Sequence, residues 1–596
     1  MKKNKISAVM LLILSLISTS SYAEGTAPIT NGLIPSFTRY QISAKKTGDG
    51  TLRMGSPELP EAFDLRTEGR VSPVKNQGED GVCWAFASYA SAESSLLPEN
   101  LFSFSENHMK HATSVENGIY GFDRTAGGFG NREIATAYLA RREGAVFSAD
   151  APYVFGDDLP EGVKPAYIPI VKAIDEVIYY PNPASLAPDD PVEYLMSDTD
   201  FRNMIKTAVM ERGIVMTGIY MTTSSSYYNS TTKAYLYNGP AKPNHAVAIV
   251  GWDDNYSAAN FAASNLPQNN GAFIVKNSWG ESWGNGGYFY VSYEDKYLGI
   301  DSASFIMSEE HVPYNVYQHD PLGMTSNLTS DDPEFFAVNK FKTERPGKEF
   351  LSQVGFYAPL PTSYEIYIDT DVGEDDTAFD FPPTPLASGS VDFAGYFTVD
   401  IASLPIITGD YYAVGIKHIS SFPGEPAYIG IEVPFENFSS RAFANPNEGF
   451  VGFVDGQNIT WVDITSLAEE LNLGDFDTSE FSVCIKAFTL DADPLTVDMY
   501  EIDTSDGLDI EFHFKNNTVA DILSNAVIAL YTGDGAERKL VDCNLAELDM
   551  DGPGLTAFHA SFDNKGIDIT DLYIKIIYLD SLDNLTPLGP PAEFSF

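Results

Sequence analysis

A thiol becomes a useful nucleophile when a field favours its anion, a base lies within reach, and a donor awaits the oxyanion that its attack creates. Cys83 meets the first condition. It stands in "PVKNQGEDGVCWAFASYASAESSLL", Pro73 to Leu97, where a polar, Gly-containing loop gives way to an Ala/Ser/Leu segment ending at Pro98. A helix starting there carries roughly half a positive charge at its N-terminus, which favours thiolate over thiol. His245 is the candidate base, one of eight histidines, in "PNHAVAIVGWDD" at the start of a strand-like run. Asn277 follows in "AFIVKNSWGESWGNGGYFYVSY", with Trp279 and Trp283 on either side of Gly280. An Asn side chain can accept from one imidazole nitrogen and leave the other facing a thiol, while a tryptophan beside the pair keeps water away. Taken singly, each residue has an ordinary structural reading. Together they describe nucleophilic catalysis.

The surrounding elements must bring three distant segments together. "NREIATAYLARREGAV" (Asn131 to Val146) has apolar residues at helical spacing with Asn131 as its cap, and "DTDFRNMIKTAVMERG" (Asp198 to Gly213) is opened by Asp and closed by Gly. "HAVAIVGW", "AFIVKNSW" and "GYFYVSY" read as short strands bounded by Gly and Asn. Helices first and strands later predict an α+β domain in two lobes over residues 59–308. Beyond it, "FLSQVGFYAP", "SYEIYIDT", "GYFTVDI" and "DYYAVGIKH" alternate between turns, which predicts an all-β sandwich over 309–490. A second all-β block, 491–596, has the size of one immunoglobulin-like sandwich.

Composition narrows the setting. The chain has 596 residues, 83 acidic against 36 basic, for a net charge of −47. Such a balance repels phosphate backbones and anionic membranes, so nucleic acid is not an expected partner. "MKKNK", then "ISAVMLLILSLIS", then small residues at Ser21 and Ala23 form a secretory signal over 1–23. Its apolar core is too short for a span, and none is expected later. Export to the periplasm or the extracellular space follows, as a monomer. Residues 24–58 read as a short pro-segment or linker. There are three cysteines, so at least one thiol is unpaired within the chain; Cys484 and Cys543 read as buried small hydrophobes. No His/Cys cluster suggests zinc and no cofactor is expected. The acidic "DTDVGEDD", Asp369 to Asp376, lacks the spacing of a calcium loop and reads as a solvated loop in preference to a Ca²⁺ site.

"PVKNQGEDGVCWAFA", "NHAVAIVGW" and "KNSWGESWGNGGYFYVSY", in this order, resemble the three signature blocks of the papain-like cysteine peptidases, here of a bacterial, secreted type. "LPEAFDLR" and the Gly127–Gly128 pair also match. The resemblance implies a fold with a helical lobe and a β-barrel-like lobe. It implies Cys83 as nucleophile, His245 as acid and base, Asn277 as its orienting partner, and Gln77 with the Cys83 N–H as oxyanion hole. Trp279 would cover the His–Asn bond. Gly127 and Gly128 would bond the backbone of a peptide substrate, with Phe129, Pro243 and Ala246 walling an apolar pocket. The region 309–490 resembles the lectin-like β-domain that follows some bacterial peptidases of this kind, which adds a cell-surface glycan as a partner beside protein or peptide substrates. Two alternatives are a cell-wall peptide amidase and an adhesin or carbohydrate-binding protein with a subsidiary peptidase domain. One departure stands out: the family usually has a cysteine where this chain has Asp80, so that disulfide cannot form. The nearby carboxylate is expected to raise the Cys83 pKa against the helix terminus. The family's long helical pro-domain has no counterpart in 24–58.

Overall fold

The computed structural model describes residues 33–34, 59–156, 168, 170–182, 197–308, 315–330 and, with breaks, 332–595. The predicted signal sequence and most of 24–58 lie outside the described residues.

The site is organised around helix α1, Cys83–Ser95, whose residues are buried along almost its whole length. Its small Ala and Ser side chains make that possible: a helix without a polar face can run through a core. Helix α2, Glu106–Ala112, is capped by Ser105, which accepts from the His108 N–H, and α3, Arg132–Ala140, by Asn131, which accepts from Ile134. The α3 pattern runs on to Val146 in sequence, but the helix stops at Ala140, and Arg142 takes a left-handed conformation with φ 59°. Helix α4, Asp198–Arg212, starts one residue after its true cap, Ser197, and ends at Gly213, φ 98°.

The strands of this region are β1 (Ala62–Asp64), β2 (Ile174–Tyr179), β3 (Val215–Ile219), β4 (Tyr228–Asn229), β5 (Ala234–Tyr235), β6 (His245–Asp253), β7 (Ala272–Lys276), β8 (Tyr288–Ser292) and β9 (Ile300–Met307). The predicted runs at His245, Ala272 and Tyr288 are neighbours in the order β3-β6-β7-β8. Two apolar cores flank them. One joins α1, α2 and α3 through Trp84, Tyr89, Phe104 and Tyr138; the other joins α4 to the sheet through Ile205, Val209, Val247, Trp252 and Phe273.

Strand β2 has an effect the sequence pattern did not announce. It pairs with β9 on one side and with the strand Ala394–Ile407 on the other, Ala394 opposite Tyr179 and Phe397 opposite Glu176. One thirteen-stranded sheet therefore runs from the His245 strand into the second region. There a six-stranded sheet faces it across a core that includes Phe335, Val354, Phe356, Val414 and Ile429. Side chains reinforce the join: Arg142 reaches Gln353 at 2.9 Å, Arg141 the carbonyl of Pro321 at 3.0 Å, and Asp123 pairs with Arg441 at 3.0 Å.

Residues from Leu495 on form a three-stranded and a four-stranded sheet around a separate core of Phe512, Phe514, Leu530, Leu548 and Ile574. Cys484 is buried as expected, but Cys543 is exposed. On its strand, Lys539–Met550, the inward positions of the second half are Ala546, Leu548 and Met550, and the two-residue period turns Cys543 outward with Leu545 and Glu547. Among the described residues, no helix is long and apolar enough to cross a membrane.

Candidate active site

Cys83 is the first residue of α1 and is fully buried. The backbone N–H of Ala246, next to His245 at the head of β6, donates to its Sγ at 3.2 Å, so the thiol lies against the strand that carries the histidine. His245 Nε2 is 2.8 Å from Asn277 Oδ1. The same oxygen accepts the Ser278 N–H at 2.9 Å, which fixes the orientation of the Asn277 amide. In the neutral ring Nε2 is then the protonated nitrogen and Nδ1 the one without a proton. Asn277 is held by its own N–H on the Gly287 carbonyl at 2.9 Å. The Trp279 ring lies 5.0 Å from the His245 ring at 30°, with Trp283 packed edge-on against it at 5.1 Å.

Gln77 sits six residues before the thiol in a loop pinned to the opposite side of the site. Its N–H donates to the Ser278 carbonyl at 2.8 Å, and the Gly280 N–H donates to the Lys75 carbonyl at 3.1 Å. The Gln77 side chain is fixed at both ends: Oε1 accepts from Ser278 Oγ at 2.5 Å, and Nε2 donates to the Asp80 carbonyl at 2.8 Å. An amide nitrogen has two hydrogens, so one remains. Beneath the loop, Lys75 Nζ pairs with Glu93 of α1 at 2.7 Å and Glu106 of α2 at 2.8 Å.

Burial pushes the Cys83 thiol up to about 12, against the backbone N–H groups of Ala246, Trp84 and Cys83, which pull it down. Asp80, expected to add to that rise, is paired elsewhere. Its carboxylate pairs with the buried Lys110 at 2.9 Å, so the expected repulsion is neutralised at its source.

The remaining predicted residues lie on the segments that flank Cys83 and His245. The Gly81 N–H donates to the Gly127 carbonyl at 2.8 Å, and Phe129 stands exposed over Gly81, where a Cβ would lie 2.4 Å from its ring. Gly127 and Gly128 are half-buried, and Pro243 is half-buried two residues before His245. Arg124, which sequence reasoning missed, shapes this wall: its guanidinium donates to the carbonyls of Ala126, Gly128 and Phe129 and lies 4.9 Å from the Trp84 ring. Leu33 was missed as well. It is 6% exposed, in one cluster with Cys83, Trp84 and Ala246. Its N–H donates to the Asn244 carbonyl at 3.2 Å, and the Ile34 N–H donates to the Gly130 carbonyl at 2.8 Å. A short piece of the lead thus bonds to the residue before His245 and to the residue after Phe129. Nothing in its local sequence marks it out.

Residues 59–308 match the papain family cysteine proteases, and residues 316–489 match the lectin-like domain family. A probable cysteine protease of Arabidopsis thaliana, RD19B, is 29% identical over 255 residues, 41% of this chain and 61% of that protein. Cathepsin K of Gallus gallus is 30% identical over 241 residues, 40% of this chain and 60% of that protein. The chain spans about three-fifths of the length of these curated relatives. Among solved structures, the cysteine protease and lectin-like domains of Cwp84, a surface layer associated protein of Clostridium difficile, superpose with a TM-score of 0.60 at 27% identity, over 73% of this chain and 89% of that one. A structure of Cwp84 after propeptide cleavage gives 0.59 at 27% identity, over 72% and 98%.

Proposed function

We propose that the chain, whose residues 59–308 match the papain family of cysteine proteases and whose residues 316–489 match the lectin-like domain family, is an exported endopeptidase that hydrolyses peptide bonds through Cys83, His245 and Asn277. The observation that carries the reading is the His245 Nε2–Asn277 Oδ1 bond, which leaves Nδ1 for a thiol lying at the head of the same strand.

In the mechanism this supports, the Cys83 thiolate attacks the peptide carbonyl carbon, and the carbonyl electron pair moves to oxygen. The free N–H of Gln77 and the Cys83 N–H receive the oxyanion. As the C–N bond breaks, imidazolium at His245 gives its proton to the leaving amine, and a thioester remains. His245 then takes a proton from water as the water attacks the thioester, and thiolate leaves to restore the enzyme. Asn277 keeps the ring turned, and Trp279 shields that bond from water.

Gly127, Gly128, Phe129, Pro243 and Ala246 form the substrate wall in this reading. Leu33 supports it by packing in one apolar cluster with Ala246, where a substrate side chain would sit, so a branched aliphatic residue is the preferred occupant. Residues 24–58 act as a short pro-segment, supported by the two hydrogen bonds that hold Leu33 and Ile34 in the cleft. The α-helical and β-rich halves on either side of Cys83 and His245 correspond to the family's two lobes, and 491–596 is an immunoglobulin-like sandwich. Residues 1–23 direct export, and the surface-layer association of Cwp84 points to the cell surface as the place of action. The bonded join between the first two regions favours the lectin-like domain as a scaffold of the peptidase, with a surface glycan as its ligand the secondary reading. Asp369 and Asp376 have oxygens occupied by the N–H groups of Asp371, Asp380 and Gly373, which supports a self-bonded acidic loop over a Ca²⁺ site.

Digestion of a peptide library by the mature protein, beside the Cys83→Ala variant, tests the proposal. Cleavage by the first and none by the second is expected. Full activity in Cys83→Ala would rule it out, and release of cell-wall peptides without cleavage of casein would favour the amidase alternative.

A further inference from the structure

The carboxylate nearest the site is bonded more heavily than a surface loop needs. Asp80 lies between Gln77 and Cys83 and is 7% exposed. Its Oδ2 accepts from Lys110 Nζ at 2.9 Å and Tyr153 OH at 2.8 Å, and Oδ1 accepts the Gly156 N–H at 3.1 Å. Lys110 is fully buried, and its other two protons go to the carbonyls of Val154 at 2.7 Å and Gly156 at 2.5 Å. All three ammonium donors are therefore satisfied, the condition under which a buried ion pair is tolerated. The pair ties the nucleophile's loop to α2 and to the 153–156 segment, and no covalent link does so, because Cys83, Cys484 and Cys543 are all free.

The same residue makes a second contact, through its backbone. The Asp80 carbonyl holds one N–H of Gln77, while Ser278 Oγ holds the other end of that amide. The direction of the remaining Gln77 N–H is thus set by where the Asp80 carbonyl stands, and that is set by where its carboxylate is clamped. We propose that Asp80 is a positioning residue of the peptidase: clamped by Lys110, Tyr153 and Gly156, it aims the free N–H of Gln77 at the oxyanion. The proposal rests on the reading of Gln77 as an oxyanion donor. It assigns the clamp a role in the transition state as well as in holding the loop.

A double-mutant cycle on the mature full-length protein tests it, with a peptidyl aminomethylcoumarin carrying leucine two residues before the scissile bond as the probe. Gln77→Ala should lower kcat by roughly 10²–10³-fold, the usual loss of one oxyanion donor. Asp80→Asn should lower kcat by at least about tenfold with KM within about twofold, and should add nothing in the Gln77→Ala background, where no amide is left to aim. Alkylation of Cys83 by iodoacetamide, which creates no oxyanion, should proceed in Asp80→Asn at the wild-type rate. Tyr153→Phe removes the hydroxyl that bonds both the Asp80 carboxylate and, at 2.8 Å, the Gln77 carbonyl, and leaves the ion pair, so it serves if Asp80→Asn does not fold; a kcat loss of about two- to fivefold, again absent in the Gln77→Ala background, is expected. Losses that multiply in the double variants, or an alkylation rate that falls in step with kcat, overturn the proposal. A Gln77→Ala variant with unchanged kcat overturns the assignment of Gln77 itself, and the proposal with it. A large Gln77 effect that neither Asp80→Asn nor Tyr153→Phe reproduces in part overturns the proposal alone.

Discussion

At the scale of the residue, the thiol is described in a covered state. Cys83 is buried, its pKa is about 12, and Leu33 lies in the same cluster. A thiol titrating there is almost wholly protonated at neutral pH, and its thiolate fraction grows about tenfold per pH unit until the pH approaches that value. Iodoacetamide should therefore label Cys83 slowly at pH 7 while the lead is attached, with the exposed Cys543 as an internal reference that labels at once. Removing residues 24–58 should raise the Cys83 rate by at least about tenfold at pH 7 and shift its pH profile toward neutrality, because an uncovered thiol can share its proton with His245. Quantitative mass spectrometry of the two peptides reads both rates. Asn277→Ala should keep the thiol labelled yet lower kcat by about 10-fold or more, since the ring then loses the partner that selects its tautomer. The residues that the fold brings together at Cys83 were legible because each sits in a local pattern: a thiol at a helix start, a histidine at a strand start, an asparagine just after a strand. Leu33, Arg124 and the Asp80–Lys110 pair were not. Their partners lie dozens of residues away, and nothing in the flanking sequence announces them.

At the scale of the element, β6, β7 and β8 were readable as apolar runs between Gly and Asn, and α3 and α4 from their periodicity. Cys543 was misread because "LVDCNL" looks apolar as a window, whereas pleating decides which of its members face the core. Strand β2 escaped notice for a different reason. Ile174–Tyr179 is short, its burial runs buried, exposed, half-buried and then three buried, and it is bonded on both edges. Such a strand has neither helical nor alternating periodicity. Its central Val177 is fully buried between Phe305 and Tyr396. Val177→Pro removes one N–H from this sheet, which leaves a buried acceptor unpaired at a cost of about 1–3 kcal/mol, with the ring's clash added. The peptidase and lectin-like cores should then melt together at a lower temperature in calorimetry. Two separate transitions, with only one of them shifted, would show that the shared sheet does not couple them.

At the scale of the whole molecule, burial shifts several acids upward. Burial raises Asp320 to about 6 despite Lys486, raises Asp295 to about 7, and holds Glu432 well above the usual carboxylate range. In each case the folded pKa exceeds the unfolded one, so the native state binds more protons and stability falls as pH rises through these values. The net charge of −47 acts in the same direction through self-repulsion. The melting temperature should therefore decline from pH 6.5 to pH 8, above the range in which His418, lowered by burial to about 3, acts in the opposite direction, and Glu432→Gln should flatten part of that slope. The last sandwich has its own core, and Lys515 reaches Asn315 at 2.8 Å across the junction. Ending the chain at 490 should leave kcat/KM for a short peptide within about twofold. The shared thirteen-stranded sheet has the opposite character. A catalytic unit on a flexible tether searches a volume that grows with tether length; one built into its neighbour's sheet searches none. Whatever the lectin-like face rests against, the cleft meets it at one height and one tilt, so cuts in an immobile polymer would fall at a fixed distance from the point of attachment.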